Sequence, residues 1–145
     1  MTRVRHSLLS VMALVGAALL GAPGTASAAP ADYPTAYNTK TQHLVSNPDS
    51  SMVESCVSRR ITLGTGHYDW GHVMGTRQTV VRANLYLGQG VYTWEDCLWP
   101  HDGFYVQTTS LNPDNPDWDT VYLSEDLDVR STGTWTWGGF LDPRF

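Results

Sequence analysis

From Cys56 onward the apolar side chains recur at every second position. Val81, Ala83, Leu85 and Leu87 alternate with polar neighbours, and Val121, Leu123, Leu127 and Val129 do the same. Glu125 interrupts the second run and is expected to mark a bulge. Phe104 to Leu111 is rich in aromatic and β-branched residues. A period of two carried by these residue types is the pattern of half-buried strands, and helical spacing is nearly absent. The pattern predicts an all-β domain of seven or eight short strands, a small sandwich or barrel.

One phrase is written three times. "ITLGTGHYDWGHVM" runs from Ile61 to Met74, "LYLGQGVYTWEDCLWP" from Leu85 to Pro100, and "DVRSTGTWTWGGFLDP" from Asp128 to Pro143. Each reads as apolar strand, glycine turn, then two aromatics one residue apart. Glycines 64, 66, 88, 90 and 133 suit tight turns in which φ becomes positive, so each copy is expected to be a hairpin. Residues i and i+2 of a strand share a face, which pairs Tyr68 with Trp70, Tyr92 with Trp94, and Trp135 with Trp137. The copies lie 24 and 43 residues apart, counted tryptophan to tryptophan, too uneven for a solenoid or propeller. Such rings either form a core or line an exposed row. For the exposed case Trp70, Trp94, Trp99 and Trp118 are the candidate surface.

The amino-terminal third is different. Arg3 and Arg5, the uncharged run Leu8 to Leu20, and Ala26-Ser27-Ala28 together read as a secretory signal peptide cleaved after Ala28. Residues 29–55 hold Pro30, Pro34 and Pro48 and few large apolar side chains. They predict an extended arm ahead of an all-β domain at 56–145. Tyr37 to Val45 contains no proline and spans about 30 Å if extended. Such a segment can add a strand to a partner's sheet, with Tyr33, Tyr37, Leu44 and Val45 as anchors, or serve as an edge strand of its own domain.

Charge narrows the partners. The chain has nine basic and fourteen acidic residues; without Arg3 and Arg5, seven basic residues remain, a formal charge of −7. That balance disfavours phosphate backbones and anionic membranes, so neither nucleic acid nor membrane is an expected partner. Cys56 and Cys97 are the only cysteines and, in a secreted chain, are expected to pair. Closing that loop would restrict the unfolded chain by about 4 kcal/mol in the loop-entropy description.

Candidate chemistry is sparse, and no cofactor or metal is expected. His67, Asp69 and His72 are zinc-type ligands, but on a strand His72 points away from the other two. Asn112 to Asp119 offers oxygen ligands for calcium, yet its prolines and Asx residues account for a turn without one. Glu95, Asp96, Asp102 and Asp142 are the acids from which a glycoside hydrolase would draw its carboxylate pair. No serine, thiol or phosphate-loop motif is present.

The layout resembles the small secreted adaptor subunit of bacterial umbrella toxin particles. The likeness lies in the signal peptide, the arm, the disulfide-linked β domain and phrases such as Tyr92-Thr-Trp94-Glu-Asp-Cys97. It implies a non-catalytic adaptor whose arm docks into a lectin subunit and whose β domain joins a large toxin polypeptide. A carbohydrate-binding module and a secreted protease inhibitor are the alternatives.

Overall fold

A computed structural model of the chain describes residues 34–144. The expected signal peptide at 1–28 and the first part of the arm, Tyr33 included, lie outside those residues. Eight strands follow in order: β1 (Ala36–Leu44), β2 (Ser55–Leu63), β3 (Gly66–Met74), β4 (Arg77–Leu87), β5 (Gly90–Pro100), β6 (Tyr105–Pro113), β7 (Val121–Leu127) and β8 (Gly133–Arg144). They form two four-stranded sheets, β1-β8-β3-β4 and β2-β5-β6-β7. Every paired strand is antiparallel. The all-β expectation holds, in its sandwich form. Cys56 and Cys97 lie opposite each other in the β2–β5 ladder and are joined, fastening the edge strand β2 to its sheet.

The boundary between arm and domain needs correction. Ala36–Leu44 is not a separate arm but a strand of the sandwich, in nine consecutive pairs with β8. Apolar residues are few there because β1 is an edge strand, and three positions in its inward phase, Asn38, Lys40 and Gln42, are polar. Asn38 and Leu44 both face inward and are buried. Backbone pairing holds the strand as much as core burial does.

The repeated phrase also needs correction. None of its copies is a hairpin: β2 and β3, β4 and β5, and β7 and β8 belong to opposite sheets, so each phrase carries the chain across the sandwich. The hairpins are elsewhere, at β3–β4, β5–β6 and β6–β7. Positive φ falls at Gly75 and Gly103 in the first two hairpins and at Gly138, not at the crossing glycines. What marks each crossing is an aromatic plug. Tyr68 Oη donates to the Gly64 carbonyl at 2.7 Å, Tyr92 Oη to Gly88 at 2.7 Å, and Trp135 Nε1 to Ser131 at 2.8 Å. All three reach back four residues, the geometry of a tyrosine corner. Glycine is needed at 88 for space: a Cβ there would lie 2.5 Å from the Trp118 ring.

The phrase is therefore scaffold. Tyr68, Trp70, Tyr92, Trp94 and Trp137 are buried, and only Trp135 is partly open. Removing one corner hydrogen bond by Tyr92→Phe is expected to cost about 1 kcal/mol and to lower the thermal midpoint by about 4 °C. An unchanged midpoint would mean that ring packing alone holds the crossing.

The interior divides in two. Ile61, Leu63, Tyr68, Trp70, Leu85, Leu87, Tyr92, Trp94, Leu111 and Leu141 form the larger apolar cluster. It sits at the end where β2 crosses to β3 and β4 to β5. Leu44, Leu98, Tyr105, Val129 and Trp137 form the second cluster, toward the β3–β4 and β5–β6 hairpins.

Candidate functional site

A buried polar belt lies between the two clusters. In the first sheet Asn38, Gly139, His72 and Thr79 stand in one row across β1, β8, β3 and β4. In the second sheet Asp96 lies opposite Thr109, and Gln107 lies opposite Glu125 one row on. Asn38, His72, Asp96, Gln107 and Thr109 are each no more than 2% exposed. Buried polar groups are expensive unless paired, so the pairing decides what each one does.

The Asp96 end of the belt is paired within the chain. Asn38 Nδ2 donates to Asp96 Oδ2 at 2.6 Å, joining edge strand β1 to the opposite sheet. Trp94 Nε1 donates to Thr109 Oγ1 at 3.1 Å, and Gln107 Nε2 donates to the Gly138 carbonyl. The β8 backbone lies directly on the carboxylate: a Cβ on Gly139 would stand 2.7 Å from Asp96 Oδ1. Burial pushes the Asp96 carboxyl up to about 7; Asn38, Thr109 and Gln107 hold it back, and Glu95 adds to the rise. A proton on Oδ1, which otherwise has no hydrogen-bond partner, turns it into a donor where the Gln107 Oε1 acceptor also has none. Asp96 is 0% exposed and, unlike His72, lines no cleft among the described residues, so no substrate reaches it in this conformation. Its present role is to tie the sheets together.

The His72 end opens into a cleft. Two sequence features, neither as expected, create it. Glu125 is not bulged: β6–β7 pairing is unbroken from Tyr105↔Leu127 to Leu111↔Val121, so Glu125 keeps the inward phase of Val121 and Leu123. On β4 the regular alternation fails. Two register shifts against β3 flank the Trp70↔Arg82 pair, the first of them containing Asn84, whose φ is 56°, and they leave Leu85 and Leu87 buried but Ala83 exposed. Beyond the shifts, Thr79 and Arg77 lie opposite the inward residues His72 and Met74. Polar side chains thus replace apolar ones where β4 and β7 flank the sandwich, and the sheets part around a cleft of about 440 Å³.

His72 lines this cleft with neither ring nitrogen hydrogen-bonded. Its Nε2 lies 3.9 Å from Glu125 Oε2, too far for a hydrogen bond, and that oxygen is likewise without one. Burial lowers His72 to about 4, so the ring is neutral at physiological pH. Burial raises the Glu125 carboxyl, with Arg77 opposing and Asp126 reinforcing the shift. Beside its sequence neighbours His67 and Asp69, His72 gives no sign of the cleft, because its partner Glu125 lies on another sheet.

The other candidate residues are scattered. Trp70 and Trp94, expected as possible surface rings, are corrected to core: each is 0% exposed. Trp99 and Trp118 are partly exposed but sit toward opposite ends of β5. Trp99 Nε1 donates to Thr108 Oγ1, whereas Trp118 stacks on Tyr92. Leu44 is corrected from docking anchor to core residue. Val45 is held at its backbone by Tyr105 Oη, and Tyr37 stays exposed, its hydroxyl accepting from Gln78 Nε2.

The acids do not gather either. Asp142 accepts from Thr35 Oγ1, and Asp102 accepts from the Ser50 amide. Asp69 is held by Arg144 and the Asn84 amide, while His67 packs edge-on against Tyr86. Among the described residues no three histidines, cysteines or acids converge as a metal site. The Asn112–Asp119 loop closes on its own Asx bonds, Asp117 N to Asn115 Oδ1 and Thr120 Oγ1 to Asn112 Oδ1.

No family model, curated protein or solved structure matches the chain.

Proposed function

We propose that the protein is a secreted, non-catalytic adaptor joining larger proteins in an extracellular, toxin-like complex, as its resemblance to the umbrella-particle adaptors implies. The observation that carries this reading is the free edge of β1. The strand makes nine regular pairs with β8 and, among the described residues, has no strand on its other side. It contains one charged residue, Lys40, and no bulge interrupts it. Native sheets usually guard such an edge with charges, prolines or bulges, as β4 does with its register shifts. With a single lysine as its guard, this edge still offers backbone donors and acceptors to a partner strand, with Tyr37 beside it as an exposed ring. The docking element is then β1 held within the sandwich, not a loose arm, so little ordering entropy opposes binding. The Cys56–Cys97 bond suits the oxidising exterior this role requires.

Native pull-down from the producer's culture supernatant is expected to recover a larger secreted protein in fixed stoichiometry. Hydrogen exchange on that complex should then slow the β1 amides facing away from β8. A solitary monomer, or protection confined to other strands, would remove the basis of the proposal.

A further inference from the structure

We infer that the cleft between β4 and β7 is a saccharide-binding site, with His72 and Glu125 as its polar floor and Trp135 as its apolar wall. This is a binding function separate from the β1 edge, and neither depends on the other. The site is built rather than incidental. His72 is 1% exposed, yet both its ring nitrogens and the facing Glu125 Oε2 are without hydrogen bonds. Leaving a buried polar atom unpaired costs about 1–3 kcal/mol, and these three, unlike the other unpaired interior atoms, belong to residues lining an open cleft where a ligand can complete them. The cleft volume of about 440 Å³ falls within the range of small-molecule sites and holds one or two sugar rings.

The chemistry of the floor selects the ligand class. A neutral imidazole presents one donor and one acceptor, and an ionised Glu125 presents acceptors only. A cation would satisfy the acceptors but leave the imidazole N–H empty, and it would meet Arg77 and Arg130 on the lining. An anion would use the N–H but face Glu125, Asp126 and Asp128. A hydroxyl both donates and accepts, and adjacent hydroxyls on a pyranose ring do so side by side. The half-buried Trp135 ring is fixed by its bond to the Ser131 carbonyl and offers a flat surface for the ring's C–H face. The cleft is thus suited to a neutral, hydroxyl-rich ligand with one apolar side.

The test uses the secreted chain with its disulfide intact. Cello-oligosaccharides, malto-oligosaccharides and N-acetylglucosamine oligomers are titrated separately while the His72 ring resonances are followed by NMR. The expected result is saturable binding to at least one series, with His72 among the first signals to shift. Glu125→Gln should weaken that binding at least tenfold. Thr79→Phe, directly opposite His72 on the exposed edge strand, should fill the cleft and abolish the sugar-induced shift. Trp99→Ala, remote from the cleft, should leave the affinity unchanged. Three results would overturn the inference: no sugar moves the His72 signals, binding survives both cleft variants, or an arginine- or lysine-bearing peptide alone occupies the cleft. The first means that water completes the floor, the second that sugar binds elsewhere, and the third that the site serves a protein side chain.

Discussion

Alanine at Gly138 is expected to lower the thermal midpoint by about 15 °C, whereas alanine at Gly133 on the same strand leaves it within about 2 °C. Two separate penalties meet at Gly138. Its φ of 146° lies where a side chain is strained, which costs about 1–3 kcal/mol. A Cβ there would also stand 2.0 Å from the Asn38 carbonyl oxygen and 2.8 Å from Thr39 Cα, both on the adjoining strand. Those atoms are backbone, so no rotamer change relieves the collision; β1 itself must retreat. Its retreat would pull Asn38 from Asp96, the bond that ties the first sheet to the second. The combined cost is about 4 kcal/mol, within the range of severe overpacking. At Gly133 nothing lies within 4 Å of the added carbon, so that variant controls for a generic loss of glycine from β8. Calorimetry of both variants decides the matter. Equal midpoints would show that β1 adapts freely and that its pairing is not rigid.

The same β1–β8 contact shows what sequence patterning could and could not reveal. The strand period was legible from Cys56 onward because both sheets are antiparallel and each alternates a buried face with an outer one. The disulfide followed from there being two cysteines. β1 was legible only as one of two alternatives, a docking arm or an edge strand of its own domain, because Ala36–Leu44 has Asn38 where an apolar residue would have advertised the core. The crossings looked like hairpins because a two-residue link containing glycine is the commonest hairpin signal. Only the plugging hydroxyls of Tyr68 and Tyr92 distinguish a crossing, and they act through a carbonyl that carries no side-chain signature.

The polar belt was hidden for a related reason. His72 follows Tyr68 and Trp70 in phase, Asp96 follows Tyr92 and Trp94, and Glu125 follows Val121 and Leu123. Each looks like one interruption of an apolar run. Aligned across the ladders they occupy neighbouring rows, and only the register brings them together. A second reading of the sequence would therefore seek one polar residue at an inward position of several strands.

That belt makes the pH dependence of stability the second large expected effect, and it is concealed in the wild-type protein. Asp96 titrates at about 7 when folded against an ordinary 3.8. Between those values the folded state holds a proton that the unfolded state has released, so Asp96 makes stability fall as pH rises. His72 titrates at about 4 when folded against an ordinary 6.5. Between those values the unfolded state holds the extra proton, so His72 makes stability rise with pH. Each slope is about 1.4 kcal/mol per pH unit, and from about pH 4 to 6.5 they oppose each other. Glu125, raised by burial, adds to the Asp96 sense, with Arg77 and Asp126 as its charged neighbours. The wild-type protein is therefore expected to be nearly flat from pH 4.5 to 6.5 and to weaken only slightly toward pH 7.

Single substitutions should expose the two slopes. In Asp96→Asn the amide oxygen still accepts from Asn38, the buried charge is gone, and His72 is opposed by Glu125 alone. Stability should rise by about 2 kcal/mol from pH 4 to 6.5 and exceed wild type by a few kcal/mol at pH 8. In His72→Gln the acids act alone, and stability should fall by about 4 kcal/mol from pH 4 to 7. Urea denaturation of the three proteins at half-unit pH intervals measures this directly. Opposite slopes in the two variants identify Asp96 and His72 as a balanced pair within one buried layer. Parallel profiles in all three would mean that neither group changes its protonation on folding and that the belt is hydrated rather than dry.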